Sequence, residues 1–124
     1  MSFLTPAQAI ARQEGFYQPD SRAARNNNPG NINFEQWLAD EYGAILETPI
    51  GNEQARFCHF PSLPNGWAAL DSVLLKYYVG LPIHDVLNKW APPSDGNDTS
   101  AYENDFCLWT GLESTDILTF EDIS

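Results

Sequence analysis

The sequence predicts an α+β fold, mainly α, in a single domain of 124 residues. Apolar side chains recur at helical spacing in several stretches, whereas a strand pattern is confined to the residues around Pro49-Ile50-Gly51-Asn52. Nine Pro and eight Gly punctuate the chain, so its elements are short. A hydrophobic content of 43%, with four Trp, five Tyr and seven Phe, is enough for one packed core and argues against disorder.

The elements follow in order. Thr5-Pro6 suits an N-cap with proline in the first turn, and Ala7 and Ile10 give a modest apolar stripe, so a helix is predicted over Pro6 to Glu14, stopped by Gly15. Tyr17 to Asn33 reads as loop, because Pro19, Pro29, Gly30 and a run of Asn favour turn geometry and local side-chain hydrogen bonds. Phe34 to Tyr42 carries Trp37, Leu38 and Tyr42 at helical spacing and ends at Gly43. Ala44 to Thr48 and Gln54 to Phe60 then flank a turn and predict a hairpin. Leu63 to Val79 is the clearest helix, with Trp67, Leu70, Val73, Leu74 and Tyr77 inward and Gly80 as its stop. Pro82 to Trp90 is a short helix broken by Pro92-Pro93, and Asp98-Thr99 caps another over Ser100 to Trp109, which Gly111 ends. Ser114 to Leu118 reads as a last short element. Residues 118–124, Phe120 to Ser124 above all, read as a loose acidic tail.

Six basic against seventeen acidic residues give a net charge of -11, which excludes a basic stripe for nucleic acid and disfavours anionic membranes. The same charge opposes long-range encounter with an anionic polymer, although a local cleft can differ from the net charge. No apolar run is long enough to span a bilayer, and the N-terminus lacks the basic and apolar regions of a secretory signal, so the chain is expected to be made in the cytoplasm as a soluble monomer. Cys58 and Cys107 default to two thiols in a reducing compartment. No phosphate loop, dinucleotide glycine pattern, Cys/His metal cluster or Ser-His-Asp arrangement is present at motif level, so no cofactor is expected. His59 and His84 stand alone and read as ordinary surface or core residues.

Carboxylates are what the chain has in surplus, and glycosidic cleavage needs little besides carboxyl groups and oriented polar contacts. Glu14 stands out because Ile10 precedes it by one turn and Gly15-Phe16 follows, which puts it at a helix C-terminus where burial and the dipole both favour the protonated acid. The alternative is a surface Glu beside Arg12 or Gln13. Asn28 and Asn31 either bond a ligand or brace their loop.

Ala9 to Phe16, Arg25 to Ile32, Phe57 to Pro61 with Gly66 and Ala69-Leu70, Trp90 to Pro93, and Asn97 to Thr99 with Tyr102 together resemble a small lysozyme-like family of phage and bacterial proteins. That family includes peptidoglycan-cleaving transglycosylases and endolysins. The resemblance runs over residues 7–118 in order. It implies a lysozyme-like helical fold with a small β-hairpin beside a cleft, and Glu14 as general acid between N-acetylmuramic acid and N-acetylglucosamine. It also implies Asn28, Asn31, Asn97 and Tyr102 as glycan contacts, with Trp90 either part of the core, the favoured reading, or a face that stacks on a sugar. A second carboxylate is sought at Glu47 or Glu53 near the hairpin, or at Asp95. With no clear partner for Glu14, lytic transglycosylase cleavage, which needs only one acid, or hydrolysis assisted by the substrate is expected first, and ordinary muramidase hydrolysis stays open. The substrate lies outside the cytoplasm, so a holin, a virion or a secretion machine would have to deliver the protein. Two other readings remain: a non-catalytic glycan-binding or virion-associated module on the same fold, and an acidic inhibitor or adaptor that docks a basic partner.

Overall fold

The first helix forms where the sequence supplies both of its ends. In the computed structural model, which describes residues 2–123, α1 spans Pro6–Gln13. Thr5 caps it in a reciprocal box with Gln8, the Thr5 hydroxyl accepting from Gln8 N–H (3.2 Å) and the Gln8 amide oxygen from Thr5 N–H (3.0 Å). Glu14 is the C-cap, and Gly15 turns left-handed at φ 80, a conformation that suits a residue without Cβ. Ala7, Ile10 and Ala11 are buried, so α1 is anchored by one face and Glu14 sits at its open end.

Six further helices and one antiparallel hairpin complete the described residues: α2 Arg22–Arg25, α3 Gln36–Tyr42, β1 Ile45–Leu46, β2 Cys58–His59, α4 Leu63–Tyr77, α5 Ile83–Trp90, α6 Thr99–Thr110 and α7 Phe120–Ile123, with a 3-10 turn at Pro93–Asp95. The protein is thus a mainly helical small domain with a two-stranded sheet. Ile45 pairs with His59 and Leu46 with Cys58. On its other side the β2 segment takes a bridge from Asn33 to Phe57, with Phe34 N–H donating to Arg56 O (3.0 Å) and Cys58 N–H to Ile32 O (2.9 Å). The strands are much shorter than the two runs predicted, because residues 47–57 form a long loop rather than a tight turn.

The predicted caps recur where the signals are local. Gly43 ends α3 at φ 72 and Gly111 ends α6 at φ 75, while Asp98 Oδ1 accepts from Ala101 N–H (3.1 Å). In α4 the buried positions are Gly66, Ala69, Leu70, Val73 and Leu74, whereas Trp67 is half-buried and Tyr77 is exposed at a cleft rim. The stretch read as continuous loop from Tyr17 to Asn33 contains α2, started by Ser21 Oγ accepting from Ala24 N–H (3.1 Å).

The C-terminal segment is not a loose tail. Gly80 N–H donates to Leu118 O and Leu118 N–H to Leu81 O, both at 2.9 Å, so after a turn over residues 114–116 the chain pairs at Ile117 and Leu118 with the α4–α5 connection. Leu118 is 1% exposed and Ile123 in α7 only 7%, and α7 packs on α1 and α4. Ser124 lies outside the described residues.

The core of α4 meets the Asn-rich loop at Gly66. A Cβ there would stand 1.9 Å from Asn27 O and 3.0 Å from Pro29 Cδ, so only glycine lets the helix seat on this backbone. Gly66→Ala is expected to lower stability by about 3 kcal/mol through overpacking against main chain. A urea midpoint equal to that of the parent protein would contradict this close seating.

Candidate functional site

An open cleft of about 410 Å³ runs between the hairpin side and α5, and Glu14 lies in it. Glu14 is held at both carboxylate oxygens. The Tyr102 hydroxyl donates to Oε2 at 2.8 Å, and Asn31 Nδ2 donates to Oε1 at 3.3 Å. Three distant parts of the chain therefore converge on one acid. The end of α1 supplies the carboxylate, α6 the phenol and the Asn-rich loop the amide.

Local structure explains each position. Asn31 adopts φ 47, one of three left-handed residues other than glycine among those described, after Asn28-Pro29-Gly30 closes a turn in which Asn31 N–H donates to Asn28 O (3.0 Å). This backbone aims the Asn31 side chain back at Glu14, and Nδ2 also approaches Glu14 O at 3.4 Å. Asn31 Oδ1 is buried without a hydrogen-bond partner, which leaves an acceptor beside the acid. Tyr102 is 5% exposed on α6. Burial first, then the neighbouring Glu14 charge and hydrogen bond, hold its hydroxyl well above the ordinary phenol range, against a smaller opposing effect of the Trp90 side chain. It is therefore a neutral phenol that can donate to an ionised Glu14 and accept from a protonated one.

The other residues predicted for the site divide. Trp90 lines the cleft beside Tyr78, their rings 5.5 Å apart. Asn97 also lines it, with Nδ2 donating to Pro92 O (3.1 Å). Tyr102 does not line the cleft surface and meets it only through its hydrogen bond to Glu14. Asn28 is fully buried and braces the loop: Nδ2 donates to Ile32 O (3.1 Å) and Cys58 O (3.0 Å), and Oδ1 accepts from Ile32 N–H (2.9 Å). It has no face left for a ligand, which corrects its assignment as a glycan contact.

Glu47 and Glu53 do not line the cleft with Glu14, a second correction. The Glu47 side chain is completely buried and accepts from Arg22 Nε (3.0 Å) and Nη2 (2.6 Å), Asn26 Nδ2 (3.0 Å), Arg56 N–H (3.1 Å) and Phe57 N–H (2.8 Å). Burial pushes its carboxyl up, but the donors from Arg22, Phe57, Asn26 and Arg56 outweigh that and hold it at about 2. Glu53 pairs with Arg25 and accepts from Ile50 N–H (3.1 Å). Both acids tie the long hairpin loop to α2. The carboxylates that do line the cleft besides Glu14 are Asp95 and Glu35, of which sequence reasoning missed Glu35. It is the residue before α3 and accepts from Trp37 Nε1 (3.3 Å), and nothing in its spacing marked it. Arg56 and Lys89 also line the cleft and were not foreseen.

His59 and His84 bond Asn26 (3.3 Å) and Glu103 (2.7 Å) and lie outside the cleft. Cys58 and Cys107 are free thiols, and burial pushes Cys58 up to about 11. No group of three or more His, Cys, Asp or Glu among the described residues is arranged to hold a metal ion, and no helix among them is long and apolar enough to cross a membrane.

Because Glu47 is held at about 2 in the fold, below the ordinary glutamate value of 4.5, its stabilisation is fully present above about 4.5 and is lost as pH falls toward about 2. Glu47→Gln should cost about 3 kcal/mol at neutral pH, the scale for breaking a buried ion pair, and should flatten the loss of stability over that window. Urea unfolding from pH 6 to pH 2 measures both, and equal slopes for the two proteins would refute the assignment. Compared with protein-family models and with curated proteins, the chain matches none.

Proposed function

We propose that the protein cleaves the glycan strands of peptidoglycan between N-acetylmuramic acid and N-acetylglucosamine, with Glu14 as general acid. The observation that carries this reading is the Glu14 carboxylate, open to a cleft and fixed by Tyr102 and Asn31. The ordered likeness of residues 7–118 to the lysozyme-like family supports it. A protonated Glu14 would give its proton to the glycosidic oxygen as the bond from the anomeric carbon breaks, and the sugar left behind would carry oxocarbenium character. In the one-acid route the muramic sugar's own hydroxyl then attacks that carbon, and its proton returns to Glu14. The cleft has the polar and aromatic wall such a chain needs, with Trp90 offering a ring face and Asn97 an amide oxygen.

The one-acid transglycosylase route is preferred to hydrolysis because Glu14 alone among the cleft carboxylates is held at both oxygens. Glu14→Gln should fold as the parent protein does, by circular dichroism and urea unfolding, and lose glycan cleavage altogether. Mass spectrometry of muropeptides reads the chemistry: anhydro ends follow from transglycosylation and reducing ends from hydrolysis. Unchanged strands with the parent protein, or cleavage retained by Glu14→Gln, would overturn the assignment.

Tyr102 is a positioning residue in this reading. Tyr102→Phe keeps the ring and removes the bond to Oε2, so kcat should fall about tenfold or more, the scale of one hydrogen bond to a charged group, with KM nearly unchanged. The pH profile of kcat should also move, which loss of packing alone would not produce. A parental kcat and pH profile would rule the role out.

A further inference from the structure

Resting on the glycan-cleaving reading, we infer that the cleft selects a carboxylate-bearing stretch of glycan, held by Arg56 from the hairpin side and Lys89 from α5. The inference comes from where the chain places its scarce cations. Seventeen acids compete for six bases, yet only Arg22 and Arg25 among the bases are matched, by Glu47 and Glu53. Arg12 lies over Trp109 at 4.4 Å and Lys76 over Trp37 at 4.4 Å. The remaining two, Arg56 and Lys89, line the Glu14 cleft, and among the described residues neither has a carboxylate within ion-pair distance.

Both are held by groups that leave their charge unneutralised. Arg56 Nε donates to Asn33 Oδ1 (2.8 Å) with the guanidinium beside the Phe57 ring (5.0 Å), and its two terminal nitrogens keep their protons free. Lys89 Nζ donates to Tyr77 O (2.7 Å) over the Tyr78 ring (4.7 Å) and keeps two further protons. A neutral acceptor and an aromatic face fix the direction of a cation without cancelling it. The same cleft carries Glu14, Glu35 and Asp95, so in a chain of net charge -11 the place for an anion is local to Arg56 and Lys89, whose charges no carboxylate within ion-pair distance cancels. The planar fork of Arg56 fits a carboxylate in particular.

Peptidoglycan offers a carboxylate from two sources. One is the lactyl group of a muramic sugar stripped of its peptide, and the other is the peptide stem, whose attachment converts the lactyl carboxylate to an amide. Dissociation constants followed by tryptophan fluorescence, Trp90 lying in the cleft, test the idea with four probes: stripped glycan, the same glycan with its lactyl carboxyl reduced to an alcohol, stem-bearing glycan, and neutral chito-oligosaccharide. The parent protein should bind one carboxylate-bearing probe about tenfold more tightly than its neutral counterpart, a factor that shrinks with added salt. Tighter binding of stripped than of reduced glycan names the lactyl group, and tighter binding of stem-bearing glycan names the stem. Arg56→Gln or Lys89→Gln should erase that ratio, and Arg56→Glu should invert it. Equal affinity for all four probes, or a ratio unchanged in both glutamine variants, overturns the inference while leaving glycan cleavage standing. Carboxylate preference without any cleavage would defeat the catalytic reading alone, and no binding to any probe would defeat both.

Discussion

The buried amide of Asn28 is the constraint on which the cleft depends. It joins two stretches of main chain that are thirty residues apart in sequence, and it does so with both its donor protons and its oxygen engaged. In a low-dielectric interior an unpaired amide is costly, so a fully satisfied one locks its neighbours in place. Its flanking residues extend the joint: Asn26 Nδ2 bonds the buried Glu47, and Asn27 Nδ2 bonds Phe60 O (3.1 Å). The run of asparagines is therefore a hinge pin between the loop and the hairpin. Its last member, Asn31, turns instead to Glu14 at the cleft, and the left-handed backbone that turns it is reached from the position Asn28 fixes.

That joint also decides where charge is spent. Glu47 is taken into the interior by Asn26 and Arg22 together with two backbone N–H groups of the Arg56-Phe57 segment. The Arg56 backbone is thus committed to the buried acid, and its side chain leaves on the cleft side. One acid that sequence position alone offered as a catalytic partner is instead the reason a cation reaches the cleft. The surplus of acid over base limits encounter from afar, whereas binding at contact range depends on the few charges that line the site.

What was legible in the sequence was local. Thr5, Gly43, Asp98 and Gly111 mark helix ends through bonds or backbone angles within a few residues, and a sequence displays such signals directly. Glu14 was legible for the same reason, since its position at the end of α1 follows from α1 itself. Its partner was a different matter: Tyr102 reaches it across eighty-eight residues, and no periodicity encodes that meeting. Glu47 shows the converse. An acid beside a predicted turn reads the same whether it faces solvent or five converging donors, and only tertiary structure separates the two. The C-terminal segment was misjudged because Leu118 and Ile123 are isolated apolar residues, too sparse to form a stripe, yet each fills a place in the core.

The one-acid chemistry gains its strongest support from an asymmetry in how the cleft carboxylates are held. A nucleophile or base has to stand within about half an ångström of its productive place, and a side chain keeps such a place only when its neighbours fix it. Glu14 is fixed at both oxygens by groups from separate elements. Glu35 is exposed and takes a single bond from Trp37, two residues along its own chain, and Asp95 is exposed with no hydrogen bond from the protein to its carboxylate among the described residues. Neither is prepared to hold a water or a covalent sugar in register. A reaction whose second nucleophile is carried by the substrate needs no such preparation. The effort of the fold goes into a single acid, and the glycan itself would supply the rest.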